Sequence, residues 1–249
     1  MFLKVCFLYF IYCIIGWIWE SIYESIRNKK VINRGFLNGP YIPIYGFGGW
    51  FIYFVLQRFE APILSLTTLL LFLGGAIGAT ILEYITSYVL EKTLKARWWD
   101  YSDYPLNVNG RICLIATVFW GVITVVAVDF LNPALLRLHD SIPRDGVLIF
   151  VTVMTTLFAV DLAVTINSIL DLQNRIKLFM SLEKDKVVEK FADRKEDLIK
   201  YRDRLGQIGN PFTKRIILAF PRLKFTSDKN QKIFERIKRF ALRKPKDKE

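Results

Sequence analysis

Five stretches of this chain are long and apolar enough to cross a lipid bilayer, and this constrains its fold more than any other feature. A hydrocarbon core of about 30 Å needs roughly 20 helical residues, and backbone inside it must satisfy its own hydrogen bonds as helix or closed barrel. Val5–Tyr23 is apolar except for Glu20 and Ser21. Gly35–Gln57 carries no charge, although Pro40, Pro43 and its glycines interrupt the first half, so a full helix is expected there from about Ile44. Ala61–Leu82 is charge-free, with its helix expected to run on towards Leu90. Ile112–Val128 is charge-free and ends at Asp129, and Gly146–Leu170 carries Asp161 alone. These runs predict an all-α, polytopic membrane protein with about five transmembrane helices.

The charge divides the chain in two. Residues 1–170 carry a net +1 and residues 171–249 a net +11. A transmembrane domain over 1–170 and a basic, helical cytoplasmic tail over 171–249 are therefore expected. The 20 Phe, 11 Tyr and 6 Trp suit a chain whose rings sit at membrane interfaces. Cys6, Cys13 and Cys113 lie in apolar runs without metal-type spacing and read as packing residues. The sequence points to no metal site and no cofactor. The N-terminal run has one basic residue, Lys4, and no small-residue cleavage site, so it reads as a span rather than a removable signal.

Basic residues in short loops are retained on the cytoplasmic side. Arg27, Lys29, Lys30 and Arg34 follow the first run; Lys92, Lys95, Arg97 and Arg111 follow the third. The other loops offer Arg58, and then Arg137 and Arg144. Five spans with the tail inside place both basic loops in the cytoplasm and the N-terminus outside; Lys4 alone argues the other way. His139 then lies in an outer loop beside Asp140 and is assigned no role.

This topology gathers the unusual polar groups at the cytoplasmic side. Glu20 lies about 22 Å along the first helix, Glu83 near the cytoplasmic end of the third, and Asp161 about two-thirds of the way in along the fifth. An ionisable group at such depth costs about 2.5–3.5 kcal/mol even on the insertion scale, so it is normally paired or functional. Trp17, Glu20 and Glu24 fall on one helical face; Gly75, Ala79, Glu83 and Ser87 fall on another, whose small residues invite close packing. Arg34, Arg97 and Arg111 are the cations at hand. The residues singled out as substrate-binding candidates are Glu20, Arg34, Asn38, Glu83, Arg97, Asp100, Asn109 and Arg111. A simpler reading has Glu20 and Glu83 neutralise the arginines as structural ion pairs. Glu20 to Arg34 and Glu83 to Arg97 are both 14 residues apart, which suggests two parallel repeats about an axis along the membrane normal.

Residues 35–49 include Asn38-Gly39-Pro40 and Pro43-Ile44-Tyr45-Gly46-Phe47-Gly48-Gly49. Non-helical backbone at membrane depth must be buried in protein or line a wet cavity. Its amides, with Arg34 and a helix start near Ile44, would suit a phosphate or carboxylate. The plainer alternative is an interfacial loop anchored by Tyr41 and Tyr45.

At these residues the chain resembles the bacterial membrane-protein family labelled putative ABC-transporter type IV, or CmpB-like permeases. The resemblance rests on Gly16-Trp17-Ile18-Trp19-Glu20-Ser21, Arg34-Gly35-Phe36-Leu37-Asn38-Gly39-Pro40 with Pro43-Ile44-Tyr45-Gly46, Leu82-Glu83-Tyr84, and Trp99-Asp100-Tyr101-Ser102 through Asn109-Gly110-Arg111-Ile112. It covers roughly residues 5–170. It implies a multi-span protein of the cell membrane, mostly of Gram-positive bacteria, and suggests transport. The chain has no Gly-x-x-x-x-Gly-Lys-Ser/Thr phosphate loop, so ATP hydrolysis would need a separate ATP-binding subunit. It shows no obvious coupling loop of the Glu-Ala-Ala type. Five spans are few for a transport path, which favours a homodimer.

The tail begins as a charged helix over 171–205 that continues the fifth span, with imperfect heptads. Thr213–Arg243 follows, with 10 Lys/Arg against Asp228 and Glu235 among scattered apolar residues. Beside an anionic leaflet, such a stretch most simply binds membrane lipids; nucleic acid is the weaker reading. The expected function is a permease-like protein that handles an anionic or amphiphilic substrate at the cytoplasmic leaflet. The alternatives are a membrane enzyme acting on a lipid or lipid-linked headgroup, and a non-catalytic assembly or sensor protein. No Ser/His/Asp, Cys/His or metal-ligand cluster supports a particular reaction, so no catalytic residue is named.

Overall fold

The structure is a computed structural model. It describes residues 1–56 and 66–184, the last 14 of these in backbone alone, and within the tail residues 215–216, 219–220, 223–228, 230–232 and 234–235. The helices are α1 (Phe2–Asn28), α2 (Pro43–Phe51), α3 (Leu66–Leu94), α4 (Leu114–Val126), α5 (Asn132–Ser141) and α6 (Arg144–Lys184). Among the described residues, four two-residue strands accompany them: β1 (Ala96–Arg97), β2 (Asn107–Val108), β3 (Ile112–Cys113) and β4 (Lys224–Phe225). Among the same residues, four helical stretches are long and apolar enough to cross a membrane: Phe2–Asn28, Leu66–Leu94, Leu114–Ser141 and Arg144–Leu170. Within the second expected span, helix α2 and a π-helical turn (Ile52–Leu56) are described; Gln57 lies outside the described residues.

Helix boundaries follow from the backbone chemistry of particular residues. Segment 30–42 is not helical, and α2 starts at Pro43, which needs no intrahelical donor at a first position. Helix α4 does not stop at Asp129. It widens into a π-helical turn (Ala127–Leu131) and resumes as α5 to Ser141. Pro133 lacks the N–H that would bond the Asp129 carbonyl, which accounts for a local widening rather than a regular turn. Helix α6 continues without a break from the fifth run into the charged segment, as far as Lys184; the rest of the expected 171–205 helix lies outside the described residues.

The chain forms two compact units, Met1–Val89 with Asp100–Leu162, and Leu90–Trp99 with Ala163–Glu249. In the first, Phe7, Leu8, Tyr12, Ile52, Leu71, Val128 and Val151 share a core. A second cluster joins Tyr9, Phe10, Cys13, Leu37 and Tyr41. Glycines let the helices approach closely: a Cβ at Gly16 would lie 2.1 Å from the Tyr45 ring, and one at Gly75 would lie 2.3 Å from Thr124. The expected small-residue face of α3 thus receives α4, and Thr80 and Thr117 hydroxyls meet there at 2.8 Å. At the far end of α1, Lys4 bridges Asp140 at 2.9 Å, and the His139 ring meets Phe7 edge-on at 5.4 Å. The N-terminus and the end of α5 therefore share one end of this unit, and His139, expected in a loop, is helical because α5 continues the α4 helix past Asp129.

In the second unit, β1 pairs antiparallel with β4, matching Ala96 with Phe225 and Arg97 with Lys224. The Trp98 and Phe220 rings meet at 4.8 Å, and Thr226 N–H donates to the Lys95 carbonyl at 3.1 Å. Ile216, Ala219, Phe220, Leu223, Phe225 and Phe234 are all buried. The described apolar residues of the basic stretch thus build a small core within this unit.

Candidate functional site

Each of the two membrane-depth glutamates is held by aromatic donors. The Tyr45 hydroxyl donates to Glu20 Oε1 at 3.1 Å, and Arg34 Nε lies 3.5 Å from Glu20 Oε2. Glu83, 7% exposed, accepts hydrogen bonds from the Tyr101 hydroxyl on Oε1 at 3.0 Å and from Trp120 Nε1 on Oε2 at 3.2 Å. The Tyr45 and Trp120 rings meet edge to face with centroids 5.5 Å apart. A continuous series of contacts therefore runs from Arg34 through Glu20, Tyr45, Trp120 and Glu83 to Tyr101. It draws on α1, α2, α3, α4 and the segment after Trp99. Burial first, and then the Glu83 carboxylate, push the Tyr101 hydroxyl well above the usual tyrosine range, so it stays a donor.

The remaining candidates make other contacts. Arg111 is buried, its guanidinium over the rings of Tyr84 at 5.4 Å and Tyr88 at 5.6 Å. Asn109 Nδ2 donates to the Tyr84 hydroxyl at 3.1 Å. Asn109 and Gly110 both have positive φ, 53° and 67°, and form the turn between β2 and β3. The Arg111 amide closes this turn on the Val108 carbonyl at 3.0 Å, and Asn-Gly is the favoured pair where both central residues have positive φ, so the turn was readable in the sequence although the hairpin was not expected. Asp100 is occupied locally, accepting from the Ser102 amide at 3.0 Å and from the Ser102 hydroxyl. Arg97 lies in the second unit, where its Nε meets Glu91 at 3.2 Å. The equal spacings of Glu20/Arg34 and Glu83/Arg97 thus carry different contacts. Glu24, one turn beyond Glu20 on α1, accepts from Asn28 Nδ2 at 2.9 Å.

The loop before α2 is fixed largely by residues that were not among the substrate-binding candidates. Asn33 Oδ1 accepts from Trp17 Nε1 at 2.8 Å and from the Gly35 amide at 3.0 Å, while its Nδ2 donates to the Asn38 carbonyl at 2.7 Å. The Arg34 amide donates to Ser21 Oγ at 3.2 Å, and the Ile32 amide donates to Ser25 Oγ at 2.9 Å. Trp17, Ser21 and Ser25, each four apart, thus form the row of α1 that carries the loop. On the loop's other side, Asp161 of α6 accepts from Asn38, Gly39 and Tyr41. Among the described residues no group of three or more His, Cys, Asp or Glu could hold a metal ion.

Long apolar helices with a carboxylate-centred polar series at one end define a multi-pass helical membrane protein. The chain belongs to the family described as "Putative ABC-transporter type IV", whose model matches residues 7–166. No curated protein and no solved structure matches the chain significantly. The matched residues include Glu20, Arg34, Tyr45, Glu83, Tyr101, Trp120 and Asp161.

Proposed function

We propose that this chain is a permease-like subunit that handles an anionic or amphiphilic substrate from the cytoplasmic leaflet. The observation that carries the reading is the series linking Glu20 to Glu83 through Tyr45 and Trp120, with Arg34 at its accessible end. A structural ion pair needs one cation for each carboxylate. Here, Tyr101 and Trp120 hold Glu83, and its buried oxygens are arranged to accept from neutral donors. The Arg34–Glu20 contact of 3.5 Å is longer than the roughly 2.7–2.9 Å of a tight charge-assisted bond. Both side chains are also partly exposed, at 19% and 32%. An incoming acid group competes with Glu20 for Arg34 at modest cost, and Glu83 stands behind it as a further acceptor.

In this reading the helix from Pro43 is part of a fifth span, the N-terminus is outside, and both basic loops and the tail are cytoplasmic. The ten basic residues of 213–243 draw the tail to the anionic leaflet by charge. Energy comes from a separate ATP-binding subunit, because the chain carries no phosphate-binding loop, and two copies of the chain complete the path. Mild-detergent purification from native membranes, with co-purifying proteins identified by mass spectrometry, tests this. A stoichiometric ATP-binding subunit is expected. A chain that purifies without any nucleotide-binding partner and shows no ion-coupled flux overturns the reading.

A further inference from the structure

Four hydrogen-bond donors in the loop before α2 converge on one carboxylate. The Asn38 amide and Asn38 Nδ2 reach Asp161 Oδ1 at 3.1 and 2.8 Å; the Gly39 amide and the Tyr41 hydroxyl reach Oδ2 at 2.7 and 2.9 Å. Two successive backbone amides, a carboxamide and a hydroxyl make a concave set of donors suited to a fully charged anion. Each oxygen of Asp161 accepts two of these bonds, which is the acceptor pattern of an ionised carboxylate. A phosphate presents the same chemistry.

We propose that Asn38, Gly39 and Tyr41 form an anion-recognition site that Asp161 fills in this structure, and that the acid group of an amphiphilic substrate takes its place. The identity of the ligand rests on the permease reading; the site itself rests on the loop. Three features of that loop make the exchange feasible. Its shape is set without Asp161: Asn33 brackets it through Trp17, Gly35 and Asn38, Ser21 holds the Arg34 amide, and the Ile42 amide bonds the Cys13 carbonyl at 3.0 Å. The donors therefore stay aimed when the carboxylate leaves. Asn38 is exposed and Asp161 half-buried, so the set is reachable from outside the unit. Finally, Asp161 belongs to α6, distant in sequence from the loop, so its displacement removes these hydrogen bonds between α6 and the loop and leaves their apolar packing through Tyr41 and Phe158 to hold the two together.

An internal competitor lowers the apparent affinity for the external anion by the fraction of time the site is open. Removing the carboxylate therefore strengthens binding, whereas removing a merely structural latch weakens it. The test is native mass spectrometry of the detergent-purified full chain, titrated with short-chain phosphatidylglycerol, with phosphatidylcholine of the same chain length, and with inorganic phosphate as competitor. Asp161→Asn and Asp161→Ala are expected to bind phosphatidylglycerol at least about tenfold tighter than the wild type. Phosphatidylcholine should show no gain, and adding Asn38→Ala and Tyr41→Phe should remove it. Competition by phosphate would identify free anions as ligands of the same site; its failure would assign the site to the lipid headgroup. Should Asp161→Ala not fold, the near-isosteric Asp161→Asn carries the test. No gain in a folded Asp161→Asn protein, or a gain that survives loss of Asn38 and Tyr41 donors, overturns the proposal. Flux that depends on Glu20 without that gain would leave the permease reading standing; the gain without flux would leave the site standing and remove the permease reading.

Discussion

Tyr45 and Trp120 meet edge to face at 5.5 Å, and each donates its polar hydrogen to a different glutamate, Tyr45 to Glu20 and Trp120 to Glu83. The two carboxylates are thereby tied into one structural unit by aromatic residues from α2 and α4, with no shared cation needed. Both carboxylates accept hydrogen bonds from neutral donors, and that arrangement underlies the transport reading.

Removing either donor leaves a buried carboxylate oxygen short of a partner. Tyr45→Phe and Trp120→Phe are each expected to cost about 1–3 kcal/mol. Thermal or denaturant unfolding in detergent measures the loss, and unchanged unfolding in both variants would show that neither carboxylate needs its aromatic donor.

Tyr101 gives the site a signature in alkali. Its folded-state proton is held well above the ordinary tyrosine value of about 10, by burial first and then by Glu83. The unfolded chain loses that proton as the pH passes about 10 while the folded chain keeps it. Stability contributed by Tyr101 is therefore complete below pH about 10 and declines above it. Unfolding followed between pH 8 and 11 should show that decline, and Tyr101→Phe should flatten it while lowering stability at neutral pH by about 1–3 kcal/mol.

Close approach of α1 and α2 depends on the absence of a side chain at position 16. A Cβ there would lie 2.1 Å from the Tyr45 ring, and Tyr45 is the residue that holds Glu20. Gly16→Ala is expected to cost about 1–3 kcal/mol and to impair Glu20-dependent activity together with stability. A Gly16→Ala protein with unchanged unfolding would contradict the packing described.

The small core of the second unit centres on Phe234, 1% exposed, whose ring meets Phe225 at 5.0 Å. Phe234→Ala is expected to cost this unit about 3–5 kcal/mol and to open the β1–β4 pairing. Limited proteolysis should then cut the tail faster than in the wild type, while the first unit stays resistant. Equal cleavage rates would show that the tail core does not hold β4 in place.

Much of this architecture was legible in the sequence because its causes are local. Charge-free length marked the apolar helices, Pro40 and Pro43 placed the start of α2 within one residue, and the small residues of α3 announced the close packing at Gly75. The site was only partly legible. Arg34 pairs with Glu20 as the short spacing suggested, but the partners of Glu83 lie 18 and 37 residues away, and Asp161 meets Asn38 across 123 residues. No periodicity encodes such meetings; they follow from how helices stack. The same holds for the tail. Its apolar residues read as a membrane-binding face because the Leu94–Trp98 segment that shares their core lies more than 100 residues earlier. The two-residue strands are too short to show alternation, and Asn109-Gly110 was the one available signal for a hairpin.

If Glu20 and Glu83 act on a moving anionic substrate rather than only on the fold, flux of a fluorescent phosphatidylglycerol in proteoliposomes depends on both. The comparison is of wild type, Glu20→Gln and Glu83→Gln, each reconstituted with any ATP-binding protein that co-purifies with the chain. ATP-dependent flux is expected in the wild type, with at least about a tenfold loss in each variant and assembly intact. Flux unchanged in both variants would contradict it, and would return the two glutamates to a purely structural role.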